Sequence, residues 1–197
     1  MSQERKKIYF VTGNKNKFAE AKSILDNDHV ELVQYNIDLS EYQGDMKTIA
    51  IKKCHEAHKI LETYDKHKYP LIIEDTSLCF NGMGGMPGPY IKWFLSSIGP
   101  DGLVKMIDRF DDRTAQAVCC VSYMENESSD PKLFVGMVNG MIVPARGKRN
   151  FGWDPIFQPL ESDGGNGQTY AEMDDTYKNQ ISHRYKALEE LKKYLTI

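Results

Sequence analysis

IYFVTGNKNKFAEAKSIL, residues 8–25, is the stretch whose reading decides the fold. Four apolar residues that favour strands, Ile8 to Val11, stop at Thr12-Gly13-Asn14, and Phe18, Ala21, Ile24 and Leu25 then recur on one helical face. A strand, a tight turn and a helix in immediate succession are the opening unit of an α/β protein. Asn14 suits a helix N-cap, and Gly13 allows a backbone conformation closed to other residues. Lys15 and Lys17 place positive charge beside a helix N-terminus whose N–H groups favour an anion. The turn reads either as a phosphate cradle or as an ordinary βα turn with solvated lysines. It is not a P-loop, because G-x-x-x-x-G-K-[ST] occurs nowhere in the chain.

Working outward, Val30 to Ile37 predicts a second strand, followed by a polar loop, residues 38–45, that carries Glu41. Met46, Ile49, Ala50, Cys54, Ala57, Ile60 and Leu61 recur at helical spacing, which predicts a long helix over 46–63 with Lys53 at the edge of its buried stripe. For a lysine so placed the common role is to cover apolar surface with its stem. The run Tyr69 to Thr76 is apolar up to Glu74 and Asp75, the pattern of a central strand with carboxylates at its carboxyl end, where ligands of open α/β sheets collect. The loop at 81–89 is too rich in Gly and Pro for a regular element. Pro89 opens a helix burying Ile91, Phe94, Leu95 and Ile98, with Lys92 on another side, and after Gly99-Pro100 a further helix carries Leu103, Met106, Ile107 and Phe110.

From Thr114 the period changes to two. Ala115, Ala117, Cys119, Val121 and Tyr123 predict a strand, Leu133 to Val138 its partner, and Asn139-Gly140 a hairpin into Met141 to Ala145. These consecutive strands make the expected sheet mixed, with helices flanking it. GKRNFGWD, residues 147–154, is a basic then aromatic loop; ESDGGNGQ, 161–168, reads as mobile and exposed; and a final helix is expected from about Asp174.

The composition excludes several classes. At 197 residues, 41% hydrophobic and 27% charged, with a net charge of -3, the chain predicts one domain without a broad basic surface, so nucleic-acid binding is not expected. No apolar run approaches a membrane span, and MSQERKK lacks the apolar core of a signal peptide, which predicts a cytoplasmic protein small enough to diffuse into the nucleus. The four cysteines show no C-x-x-C spacing and read as reduced thiols.

A basic turn, carboxylates at Glu41 and at Glu74-Asp75, scattered lysines and an aromatic loop suit a polyphosphate, a divalent cation and a base. Mg²⁺ is commonly held by one or two carboxylates together with substrate phosphates, so Glu41 and Asp75 need not be close in sequence. TGNKNK at 12–17, EDTSL at 74–78, GGMPGPYIKW at 84–93, FGWDP at 151–155, TYAEM at 169–173 and SHR at 182–184, in that order, closely resemble the Ham1 family of inosine triphosphate pyrophosphatases, its eukaryotic branch in particular. The resemblance runs from the first strand to the last helix.

That resemblance implies hydrolysis of non-standard purine nucleoside triphosphates (ITP, dITP and XTP) to monophosphate and pyrophosphate with Mg²⁺, Mn²⁺ being a possible substitute. It implies an elongated mixed α/β structure, residues 1–197 forming one catalytic domain of two lobes with the nucleotide in the cleft between them, and a homodimer. Carried onto this chain, Thr12, Gly13, Asn14, Lys15, Asn16 and Lys17 would bind the triphosphate, although Asn16 stands where relatives often have a basic residue. Glu41 and Asp75 would hold the metal, Asp75 would also activate water, and Glu74 would assist. Thr76, Lys53 and Lys92 would complete the phosphate site. Phe151, Gly152, Trp153, Asp154, Lys178, His183 and Arg184 would select the base. An aromatic ring stacks on any purine, whereas the donor-only Lys178 and Arg184 suit a 6-keto oxygen and oppose the 6-amino group of adenine. The competing readings are a pyrophosphatase of different base preference and a nucleotide-binding regulator without turnover.

Overall fold

The computed structural model describes residues 5–64 and 70–195; Tyr69, where the expected central run begins, and Met1 to Glu4 of the charged head lie outside them. In chain order the elements are β1 (Lys6–Val11), α1 (Lys15–Leu25), β2 (Val30–Tyr35), α2 (Met46–Tyr64), β3 (Leu71–Phe80), β4 (Pro87–Gly88), α3 (Ile91–Ile107), β5 (Thr114–Met124), β6 (Lys132–Ile142), β7 (Phe157–Pro159), α4 (Asp175–Ile181) and α5 (His183–Tyr194). The strands form one seven-stranded sheet in the order β2-β1-β3-β5-β6-β7, with β4 attached to β3. β1 is parallel to both β2 and β3, while β4 and β7 run antiparallel to their partners, so the sheet is mixed as expected. No helix among the described residues is long and apolar enough to cross a membrane.

The chain divides into two compact units: Met1–Asp75, Cys120–Gly136 and Arg184–Ile197 form the first, and Thr76–Cys119 and Met137–His183 the second. In the first, α1 starts where Asn14 caps it and ends where Asp26 turns to extended backbone, and it buries Ala21 and Leu25. On one face of the sheet Val11, Leu71, Ile73 and Met124 pack with Cys54, Ala57 and Leu61 of α2. Leu61 is fully buried there, and its truncation to alanine would cost about 2–5 kcal/mol.

The second unit has its own core, in which Leu78, Phe80, Ile91, Leu103, Ile107, Phe157 and Tyr170 are joined by Trp153. α3 breaks at Gly99, whose φ of 66° and ψ of 179° are not helical, and Pro100 restarts it, so the two-helix reading survives as two segments meeting without a gap. Ile98, assigned to a buried face by spacing, is 44% exposed, and Phe110, assigned to the helix after Gly99-Pro100, is 41% exposed. Ile98 leans over Gly102, where a Cβ would meet its own at 2.5 Å, and Phe110 lies beyond the helix.

Other expectations are corrected. Asn139-Gly140 is no hairpin: it lies inside the continuous strand β6. Gly140 is required because a Cβ there would meet the Phe157 ring at 2.5 Å and the Gln158 carbonyl at 2.7 Å, and the Asn139 side chain is occupied with Asp163. Glu74 and Asp75 do not end their strand, since β3 continues to Phe80. The final helix is two helices, α4 and α5, because Ser182 between them is extended at φ -66° and ψ 155°. The segment 161–168 is shaped rather than loose. Asp163 accepts hydrogen bonds from the Asn139 backbone and side chain, and a Cβ at Gly165 would overlap the Pro159 carbonyl at 2.0 Å.

Candidate active site

The turn after β1 is built as the sequence suggests, with two differences. Asn14 Oδ1 accepts from the N–H groups of Asn16 and Lys17 at 3.0 and 3.1 Å, and Thr12 Oγ1 accepts from Asn14 N at 3.1 Å. The cap therefore takes first-turn donors that a phosphate would otherwise use, leaving the Gly13 and Lys15 N–H groups without a hydrogen bond among the described residues. Gly13 is not at positive φ; glycine is needed because the Asn36 side chain comes within 3.0 Å of where a Cβ would stand.

Glu74 and Asp75 are consecutive on β3, so their side chains leave opposite faces of the sheet. Glu74, whose side chain is 1% exposed, lies 2.8 Å from Lys17 Nζ of α1 and 3.6 Å from Arg184 Nη2 of α5. Arg184 Nη1 is also bonded to Glu20 of α1. A carboxylate this deeply buried is costly unless it is paired, and here two cations pair it. The result is a chain of alternating charge, Lys17, Glu74, Arg184, Glu20. Glu20 was missed by sequence reasoning, although its spacing of three from Lys17 puts both on one side of α1.

On the opposite face, Lys53 Nζ of α2 donates to Asp75 Oδ1 and to Glu41 Oε2, each at 2.8 Å. Lys53 is 8% exposed and thus a bridging ammonium, not a solvated edge residue. Burial opposes its charge, but the charge and hydrogen bond of Asp75, followed by those of Glu41, outweigh it and hold its pKa above the ordinary lysine value. Beside these acids the Cys120 thiol is pushed up to about 12, first by burial and then by the negative charge of Asp75 and Glu74, and is inert at neutral pH.

These residues fit a hard divalent cation. Asp75 Oδ2 is buried and has no hydrogen-bond partner among the described residues, and the Glu41 carboxylate is held on the same ammonium. Oxygen donors of this kind suit Mg²⁺ or Mn²⁺. Among the described residues no three His, Cys, Asp or Glu side chains gather, so phosphates and water would have to complete the coordination.

In the second unit the segment 151–154 packs against α4. Lys178 Nζ donates to Asp154 Oδ2 at 2.6 Å, both side chains being 7% exposed, and stands 4.6 Å from the centre of the Phe151 ring. Trp153 is 7% exposed in the core, 5.4 Å from the imidazole of His183, which stacks on Tyr170 at 6.0 Å. Of the two aromatics expected to stack on a base, Phe151 is therefore the half-buried one, and Gly152 beside it is exposed at a φ of 51°. Thr76 is half-buried on β3, and Lys92 lies on the exposed side of α3 over the Trp93 ring at 5.2 Å. Arg184 belongs to the first unit, where Glu20 and Glu74 neutralise it.

The sequence model of the Ham1 family matches residues 8–194. A curated relative from Pyricularia oryzae, named inosine triphosphate pyrophosphatase, is 46% identical over 190 residues, covering 96% of this chain and 94% of its own. A solved Ham1 protein from Coxiella burnetii superposes with a TM-score of 0.81 at 27% identity, over 97% of this chain and 98% of that one. The Ham1 protein of Staphylococcus aureus gives 0.75 at 26% identity, over the same shares. With a family match over nearly its whole length and a relative of this identity, the chain belongs to the Ham1 family.

Proposed function

We propose that the protein hydrolyses non-standard purine nucleoside triphosphates (ITP, dITP and XTP) between the α and β phosphates, releasing the monophosphate and pyrophosphate. The observation that carries this reading is the pair of carboxylates, Glu41 and Asp75, drawn onto the Lys53 ammonium with one buried Asp75 oxygen open, in a chain of this family. The name of the Pyricularia oryzae relative supplies the substrate class.

Glu41 and Asp75 would hold Mg²⁺, or Mn²⁺ in its place, and the ion when bound neutralises phosphate charge and sharpens the nucleophilicity of water. The protein's own part is positioning and electrostatics. Water attacks the α phosphorus, the bond to the bridging oxygen breaks, and its electron pair leaves with pyrophosphate, while Asp75 receives the proton of the water. Lys53, donating to Asp75 Oδ1 at 2.8 Å, aligns the carboxylate for that transfer. Lys15, Lys17 and the Gly13 and Lys15 N–H groups offset the phosphate charge. Glu74, turned to the other face and paired twice, fixes Lys17 and Arg184 and takes no proton from water.

Base choice rests on donors. Lys178 and Arg184 carry N–H donors and no acceptor, which suits a 6-keto oxygen. Against the 6-amino group of adenine such a donor is left unsatisfied, at about 1–3 kcal/mol. Phe151 adds stacking without discrimination.

The purified protein with Mg²⁺ should release pyrophosphate from ITP and XTP and little from ATP or GTP, and Asp75→Asn should bind ITP without turning it over. Orthophosphate as product, or equal use of ATP, overturns the reading. The whole chain is proposed to act as one catalytic domain in a homodimer, for which a monomer mass by light scattering at working concentration would be the refutation.

A further inference from the structure

We infer that Glu56 is a positioning residue for Glu41: by clamping Ser40 onto α2 it aims the loop-borne carboxylate at Asp75. The inference rests on the reading of Glu41 as a metal ligand. Asp75 is placed by a strand; Glu41 is not, since it lies between β2 and α2 in a polar stretch where Ser40 and Glu41 are both exposed. A glutamate on such a loop has free backbone dihedrals and three side-chain torsions, so its direction must come from specific bonds.

Three consecutive loop residues supply them on one stretch of α2. Glu56 Oε2 accepts from Ser40 N at 2.9 Å and Glu56 Oε1 from Ser40 Oγ at 2.7 Å. Lys53 donates to Glu41 at 2.8 Å, and the Lys52 ammonium stands 5.6 Å from the centre of the Tyr42 ring. Lys53 and Glu56 are three apart on the helix, so the two ties run side by side. Leu39 packs on the core next to Ala57 and Leu61, and Asp45 takes both the N–H and the hydroxyl of Thr48 at the start of α2. Among these contacts only the Glu56 pair grips the backbone immediately before Glu41. Glu56 touches neither Asp75 nor any proposed substrate group, so its influence is through Ser40 alone.

Residues that orient metal ligands typically change metal affinity by about 10–100-fold when removed. Because Asp75 and Lys53 stay in place, the low end is expected: Glu56→Ala should weaken Mn²⁺ binding to the nucleotide-free protein about tenfold, read by electron paramagnetic resonance. The Mg²⁺ concentration for half-maximal pyrophosphate release should rise in parallel, with kcat at saturating Mg²⁺ little changed. Ser40→Ala, which removes one of the two bonds, should give a smaller shift. Glu56→Gln should restore near-normal binding, because its amide can accept from Ser40 N–H and donate to Oγ. The proposal is overturned if Glu56→Ala and Ser40→Ala change the melting temperature but not Mn²⁺ binding, or if Glu56→Gln is as weak as Glu56→Ala, which would mean charge alone. Glu41→Ala separates the failures: if it weakens Mn²⁺ binding and Glu56→Ala does not, only the positioning role falls; if neither does, the reading of Glu41 falls with it.

Discussion

Replacing Lys53 by methionine tests the centre of the site, because it removes one charge and leaves the shape. The ammonium is buried and bonded at 2.8 Å to Asp75, 18% exposed, and to Glu41, 36% exposed. Breaking a buried ion pair by removing one partner costs about 3–5 kcal/mol. Glu41 regains water at the surface and Asp75 partly does, so about 2–3 kcal/mol is expected here, read as urea unfolding at pH 7 without metal. The pH dependence lies on the alkaline side. The folded pKa of Lys53 is raised above 10.5, so its contribution is complete below that value and is lost only as pH rises through the folded pKa. The ammonium also repels a divalent cation held by the same carboxylates. Saturating Mn²⁺ should therefore stabilise the variant more than the parent, although turnover of ITP falls about a hundredfold for want of an aligned Asp75. A loss of less than about 0.5 kcal/mol, or equal stabilisation of both proteins by Mn²⁺, would refute the bridging role.

Glu20→Gln leaves Arg184, 3% exposed, with Glu74 at 3.6 Å as its charged partner; a stability loss of about 1–3 kcal/mol and a fall in the ITP to ATP ratio of kcat/KM are expected, and an unchanged ratio would detach Arg184 from base choice. Burial pushes the Cys54 thiol up to about 11 and, with nearby negative charge, that of Cys120 to about 12. Both folded values lie above the ordinary 9.0, so the stability they contribute is present below pH 9 and is lost toward pH 11–12, on the order of 1 kcal/mol per pH unit for each thiol. Urea unfolding from pH 8.5 to 10.5 should show a shallower decline in Cys54→Ala; parallel slopes would contradict it.

What was legible in the sequence follows from how local each signal is. The opening strand, cap and helix involve residues a few positions apart, and they stand where periodicity put them. Asn139-Gly140 carried the right letters for a turn, but the glycine answers a close approach by Phe157, which no local pattern reveals. Ser182 breaks the last helix without a Gly or Pro to mark it. The site divided in the same way. The acids and lysines were visible as residue types, whereas their pairing was not: Arg184 meets Glu20 across 164 positions, and Lys53 meets Asp75 across 22. The family resemblance named the residues, and the geometry separated their tasks.

That separation follows from one property of a strand. Successive side chains on β3 point to opposite faces, so two adjacent acids are delivered to different helices. Glu74 meets α1 and α5 and is saturated by Lys17 and Arg184; Asp75 meets α2, shares Lys53 with Glu41 and keeps one oxygen open. Two carboxylates on the same face would repel each other and raise one another's pKa, as paired acids do. Placed back to back, each has its own cations, Glu74 as a fixed counter-charge and Asp75 as the proposed base. A slip of β3 by one residue against β1 would destroy the arrangement: in one direction Glu74 takes the Asp75 position and Ile73 faces Lys17 and Arg184, in the other Asp75 takes the Glu74 position and Thr76 faces Lys53. The register Tyr9 with Leu71 and Phe10 with Ile72 is therefore as much a part of the candidate site as the carboxylates themselves.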